Sequence, residues 1–378
     1  MKNRRSFAWL IAVVAILSLL ASACGKSDSD TSSGKKGSPT QTTKAADKDK
    51  LASLNGNLNG GGSSFQDTFE QQVISDFEKE VADAGGKINV TYAKSGSSDG
   101  KKSLADDTTG DFNFAGTDSL VKDEEKANFG DRKILYFPIV GGPITVAYNL
   151  SGVKDLQLSA DVIANIFQGK ITTWDDPAIA KDNPDAKLPS TKITVVHRSD
   201  GSGTTSNFTK FLDAASDQWT LGSGDTVPWP TGSGFQGAEK NTGVAQVVSN
   251  TDGAIAYVDL ADAAKAKLSV AKVGNAEGEF IAPTPDAASI ALGGAEINDD
   301  LTYNPLNAKA KGAYPITSPT WILTYADQKS QATADALKAY LRYVLTTGQE
   351  QAKSLLYAPL PEELAKKAVD QVDQIKAG

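Results

Sequence analysis

The chain has 378 residues, 40% hydrophobic and 22% charged, a composition that suits a globular body of two domains or lobes with a sizeable core. A formal net charge of −8 excludes a general nucleic-acid binder, which needs a basic face for phosphates; any anion must be held by local dipoles and one or two cations against the overall field. The single cysteine, Cys24, excludes an internal disulfide and a cysteine-built metal cage.

Lys2, Arg4 and Arg5 precede the apolar run FAWLIAVVAILSLL and the small-residue stretch ASAC, the three parts of an export signal over residues 1–23. The apolar run is shorter than the roughly 20 residues a membrane-spanning helix needs. Cleavage before Cys24 removes three cations and no acid, taking the charge from −8 to −11. The position of Cys24 resembles the lipobox of bacterial lipoproteins, with Ala21 where that motif prefers leucine, and the resemblance implies that Cys24 is lipidated and becomes the mature N-terminus. Residues 25–50 carry only Ala45 and Ala46 as apolar side chains, too few to order the segment, so residues 24–53 are expected to be a flexible tether.

The body begins near Leu54. Phe69, Val73, Ile74, Phe77 and Val81 fall on one helical face, and Gly85 and Gly86 stop that helix. KINVTYA alternates Ile88, Val90 and Tyr92 as a half-buried strand. GDFNFAGTDSL predicts a short strand ending at Gly116, Thr117 and Asp118. KILYFPIVGGPITVAYNL predicts two strands broken at Pro138 and at Gly141–Pro143. ADVIANIF, ITVV and AIAYVDL continue the alternation, TSPTWILTYA predicts a late strand, and ADALKAYLRYVL predicts a helix with Leu337, Leu341, Val344 and Leu345 inward and Gly348 as its cap. Alternating elements predict an α/β architecture.

Four loops share one chemistry. GSSF holds Ser63, Ser64 and Phe65 before a helix, SGSS holds Ser97 and Ser98 after a strand, GTD ends a strand at Asp118, and RSDGSGTT supplies Arg198, Asp200, Ser202, Gly203 and Thr204 before a helix. Hydroxyls and free N–H groups at helix starts suit an anion, and the carboxyl ends of strands are where open α/β sheets bind ligands. Each loop taken alone also reads as an ordinary turn.

In this order, the motifs resemble those of the substrate-binding lipoprotein of the bacterial phosphate ABC transporter. GSSF is similar to that family's first-lobe loop, with Ser63 and Gln66 where alanine and proline are common. GTD stands for Gly-Ala-Ser-Asp, and RSDGSGTT for Arg-Ala-Asp-Gly-Ser-Gly-Thr. GKITTWDDPAIAKDNPDAKLPS and YPITSPTWIL resemble family segments outside the site. The resemblance implies a two-lobed periplasmic-binding-protein-like fold (type II) with the ligand cleft between lobes joined by a two-crossing hinge. It places lobe one at residues 54–149 and 321–378 and lobe two at 150–320. It implies phosphate ligands Ser64, Phe65, Ser97, Asp118, Arg198, Ser202, Gly203 and Thr204, with Asp200 supporting Arg198. It also implies no catalytic residue, metal or cofactor, transmembrane permease subunits as partners, a monomer, and a lipid anchor to the outer face of the plasma membrane.

The chemistry agrees with that site. A carboxylate at Asp118 beside an anion is favourable only if the ligand brings a proton, which phosphate does near neutral pH and sulfate does not. Other protonatable oxyanions such as phosphonates fit the same rule, and a sensor lipoprotein that no longer transports would keep it. GSSDG matches a nucleophile elbow at Ser98, with His197 as the only histidine for a serine hydrolase, but Arg198 beside it makes a poor base of His197. GSGFQG, followed by Asp259, matches a dinucleotide fingerprint, yet VPWPT before it argues against a central strand. Trp174 with Asp175 and Asp176 fits a sugar or metal site less well than a buried tryptophan beside a helix start.

Overall fold

The structure is a computed structural model and describes residues 48–378. The export signal, Cys24 and most of the expected tether lie outside the described residues. The end of that tether does not match expectation: residues 48–52 are helical and lead straight into the first strand, with Gly86 packed so closely on Leu51 that a Cβ there would lie 2.2 Å from its carbonyl oxygen. Among the described residues no helix is long and apolar enough to cross a membrane.

The first half is built on β1 (Asn55–Gly62), α1 (Asp67–Ala84), β2 (Lys87–Lys94), α2 (Ser97–Asp106) and β3 (Phe114–Thr117). β1 lies between β2 and β3, parallel to both. Its sequence, NGNLNGGG, looks like a loop but is a central strand. The glycines are required by close packing: a Cβ on Gly60 would sit 2.4 Å from the Phe114 ring, and one on Gly61 2.6 Å from the Ala93 carbonyl oxygen. α1 buries Phe69, Val73, Ile74, Phe77 and Val81 as its period requires. It ends where Gly85, at φ 101°, turns left-handed and bonds back to the last turn.

β4 (Ile134–Asn149) is one strand of 16 residues, not the two expected. Pro138 is accommodated at a register shift against the late strand, and Pro143 sits where the pairing changes hands. The second half contains α3 (Ala160–Phe167), β5 (Thr194–Arg198), α4 (Gly203–Ala215), β6 (Phe235–Ala238), α5 (Lys240–Asn250) and β7 (Ala254–Asp259). The chain returns through β8 (Thr317–Tyr325) and α6 (Gln331–Leu345). α6 buries Leu337, Leu341, Val344 and Leu345 and ends at Thr346; Gly348 lies in the following 3-10 turn rather than at the cap.

The main strand order is β2-β1-β3-β8-β4-β7-β5-β6. β4 joins its two halves, pairing antiparallel with β8 from Ile134 to Pro143 and with β7 from Ile144 to Asn149. β5 runs parallel to β6 and β7, so Arg198 emerges at the carboxyl end of its strand, as Asp118 does from β3. Trp174 is fully buried beside Asp176, which caps a helix beginning at Pro177, so that segment is structural.

Candidate anion site between the strand ends

The eight sequence-predicted ligand residues and Asp200 come together. Ser64, Phe65, Ser97, Asp118, Arg198, Ser202 and Thr204 are each less than 5% exposed. α2 starts at Ser97 behind Gly96, whose φ of 103° turns the chain; a Cβ there would fall 2.9 Å from the Gly201 carbonyl oxygen. α4 starts at Gly203 behind Ser202, whose Oγ accepts the Thr205 N–H at 3.2 Å. Two helix N-termini and the β1–α1 loop therefore converge on one polar space.

Arg198 is the cation of the site. Asp200 grips it by two bonds, Nε to Oδ1 at 2.6 Å and Nη2 to Oδ2 at 2.5 Å. Burial would raise the Asp200 carboxyl, but the bonds from Arg198, together with Lys240, hold it down at about 2. The other edge of the guanidinium meets Ser64 Oγ at 3.1 Å and Asn241 Oδ1 at 3.2 Å. Its backbone N–H donates to Tyr257 OH at 3.0 Å, fixing the end of β5.

Asp118 is the opposed acid. Ser63 Oγ lies 2.7 Å from both of its oxygens, Thr320 Oγ1 donates to Oδ1 at 2.6 Å, and Ser97 Oγ lies 3.5 Å from Oδ2. Burial raises its carboxyl to about 6, although bonds from Thr320 and Ser63 and the charge of Arg198 oppose the shift. Phe65 turns its N–H onto Ser63 Oγ at 3.0 Å and its ring onto Tyr357.

Several participants were missed in the sequence. Asn241 links the halves, donating from its backbone to Ser64 Oγ and from its side chain to Thr204 Oγ1, both at 3.2 Å. Asn207 donates to the Asp118 carbonyl at 2.6 Å and to Ser318 Oγ at 3.0 Å. YPITSPTWIL, read as lying outside the site, contributes Ser318 and Thr320 to it. Neither asparagine sits in a motif, and only the fold brings them near. Lys101 and Ser98, both on α2, bind Asp225 Oδ2 at 3.1 and 2.9 Å, closing the same cleft.

The rival chemistries are not assembled. Ser98 is engaged with Asp225, while His197 stacks on Trp229 at 5.1 Å and burial holds its imidazole below its usual pKa. GSGFQG forms a turn and β6, which ends the strand order, and Asp259 caps the helix that follows β7. Among the described residues no cluster of three His, Cys, Asp or Glu side chains is placed to hold a metal.

Fold and site together define a two-lobed α/β binding protein, and the model of the PBP superfamily domain matches residues 34–347. The chain is 36% identical over 317 residues to the phosphate-binding protein PstS of Xylella fastidiosa, covering 82% of this chain and 83% of that protein. It is 32% identical to phosphate-binding protein PstS3 of Mycobacterium bovis, with 98% of each chain covered. A solved high-affinity periplasmic phosphate-binding protein, PfluDING, bound with phosphate, shares the fold at a TM-score of 0.69 and 23% identity, covering 84% of this chain and 93% of that one. The chain belongs to the PstS family of phosphate-binding proteins within the PBP superfamily.

Proposed function

We propose that the protein binds inorganic phosphate outside the plasma membrane and delivers it to the transmembrane subunits of an ABC-type permease, the ligand leaving unchanged. The observation that carries this reading is the pairing of two buried, opposed groups, Arg198 held by Asp200 and Asp118 held by Ser63 and Thr320, at the meeting of two helix N-termini. The cation and N–H groups receive the phosphate oxygens, and Asp118 accepts the ligand proton. Ser64, Phe65, Ser97, Asp118, Arg198, Ser202, Gly203 and Thr204 are the proposed ligands. The names of the relatives support phosphate as the ligand.

The strand pairing supports a lobe boundary inside β4, between Pro143 and Ile144, and another at the start of β8, somewhat earlier than the 149/150 and 320/321 limits expected from family likeness. Phosphate held by both lobes favours the closed form, and that form is what a permease recognises. A lipid on Cys24 would keep the body near the membrane.

Isothermal titration with phosphate and then sulfate, on protein freed of ligand by partial unfolding, tests the reading. Tight one-to-one phosphate binding with little sulfate response supports it. Absence of phosphate binding by folded protein overturns it.

A further inference from the structure

Behind Asp118 a line of buried polar groups runs into the core of the first half. Gln66 Nε2 meets Glu70 Oε1 at 3.2 Å, Thr320 Oγ1 meets Gln66 Oε1 at 2.5 Å, and Thr320 Oγ1 also meets Asp118 Oδ1 at 2.6 Å. Glu70, Gln66 and Thr320 have no solvent exposure, and Asp118 has 2%. A buried carboxyl three contacts from the ligand acid has no part in the mechanism above.

Three contacts join four groups, and each needs a hydrogen. The Gln66 amide supplies one, at whichever end its nitrogen stands, and the Thr320 hydroxyl supplies one. The third can come only from a carboxyl. With the proton on Glu70, it donates to the amide oxygen, the amide nitrogen donates to Thr320, and Thr320 donates to ionised Asp118. With the proton on Asp118, every donor reverses: Asp118 gives to Thr320, Thr320 to the amide oxygen, and the amide nitrogen to ionised Glu70. With neither carboxyl protonated, two acceptors face each other at one contact, which a buried network does not tolerate.

We infer that Glu70 and Asp118 hold one proton between them through Gln66 and Thr320, and that Glu70 thereby sets whether Asp118 meets the bound anion as acceptor or as donor. The inference rests on the reading of the cleft as a phosphate site. Phosphate, with a proton to give, selects protonated Glu70 and ionised Asp118. Sulfate, with none, needs the opposite state. The two states differ by a half-turn of the amide and by which carboxyl is protonated, and equilibrium with solvent connects them.

The surroundings fit a shared proton. The Tyr340 hydroxyl on α6 donates to the second oxygen of Glu70, Tyr92 on β2 faces it, and Asp67 on its own helix repels its charge. Asp118 is faced by Ser63, Ser97, Thr320, Arg198 and Asp225. Burial raises Glu70 to about 7 and Asp118 to about 6, so neither monopolises the proton.

The test is the pH profile of phosphate affinity in the full chain and in Glu70→Gln, whose introduced amide can donate to Gln66 without a proton from solvent. The ligand's own titration is common to both proteins and cancels. Above about pH 7 wild-type binding takes up a proton, and its affinity falls relative to the variant by up to about tenfold per pH unit. In the variant the affinity at about pH 9 stays within about threefold of that at about pH 7, once the ligand term is divided out. Equal slopes in the two proteins overturn the inference and leave phosphate binding standing. No phosphate binding by the wild type at any pH overturns both. Should the variant fail to fold, the side-chain carboxyl carbon shift of Glu70 in isotope-labelled wild type decides: a protonated carboxyl in the phosphate complex near neutral pH supports the shared proton, and an ionised one overturns it.

Discussion

Ser64 and Arg198 stand 134 residues apart in the chain and meet across the cleft, Nη1 to Oγ, at 3.1 Å. The contact is possible because β1 and β5 both end at the cleft and because Asp200 fixes the other edge of the guanidinium. A loop from one half of the sheet and a cation from the other thereby form one site. On the proposed reading, an acidic protein holds its anion by bringing the Arg198 charge and several dipoles together where water is scarce.

Asp118→Asn is expected to narrow the gap between phosphate and sulfate. On the proposed reading ionised Asp118 would reject sulfate, because two acceptors would meet with no proton between them, a penalty that can reach about 1000-fold. The introduced amide can donate to either ion. Titration calorimetry with both ligands checks this, and unchanged affinities for both would remove the role assigned to Asp118.

Gly203→Ala is expected to hold the lobes apart. A Cβ at Gly203 would lie 2.7 Å from the Asp118 Cβ and from Ser97 Oγ, and 2.9 Å from the Asp118 nitrogen. Gly203 does not adopt a positive φ, so the substitution acts through the cleft and not through strain within α4. Phosphate affinity should fall about 100-fold, the scale of a shifted closing equilibrium. Small-angle scattering should show less ligand-induced compaction than in the wild type.

Lys101→Met should lose cleft closure and stability together. Lys101 is a buried cation bound to Asp225 Oδ2 at 3.1 Å and Glu125 at 2.9 Å, and Asp225 Oδ1 has no hydrogen-bond partner among the described residues. Removing one member of such a pair costs about 3–5 kcal/mol, since the other charge stays buried. Adding Asp225→Asn to Lys101→Met should restore a good part of the loss, and a double-mutant cycle by urea unfolding measures it.

The ligand-free protein should be most stable on the acid side of neutrality. Asp118 and Glu70 have folded pKa values raised to about 6 and about 7, above their ordinary 3.8 and 4.5. Between about pH 4 and about pH 7 the native state therefore binds more protons than the unfolded chain, and stability falls as pH rises, by a few kcal/mol at most. Asp200 acts the other way: depressed from 3.8 to about 2, it contributes stability above its unfolded value that is lost as pH falls toward the lower one. Urea midpoints that rise steadily from about pH 5 to about pH 8 would contradict this balance.

The sequence by itself determined what is local. The stripe from Phe69 to Val81 specifies α1, the alternation of Ile88, Val90 and Tyr92 specifies β2, and the serine- and glycine-rich loops mark strand-to-helix junctions because N-capping and close backbone approach demand those residues. The loops that carry the eight proposed ligand positions were legible for the same reason, and the positions themselves come from family likeness. Glycine-rich β1 was not, since only packing against Phe114 and Ala93 makes a strand of a run that locally resembles a loop. Nor was the continuity of β4 through two prolines, which depends on a change of partner from β8 to β7. Asn207, Asn241 and Thr320 entered the site, and Glu70 came within two side chains of Asp118, only through contacts between distant segments. Periodicity and capping act over a few residues and leave a trace in sequence. Sheet order and buried hydrogen bonds are satisfied across the whole chain, and only the folded structure shows which donor finds which acceptor.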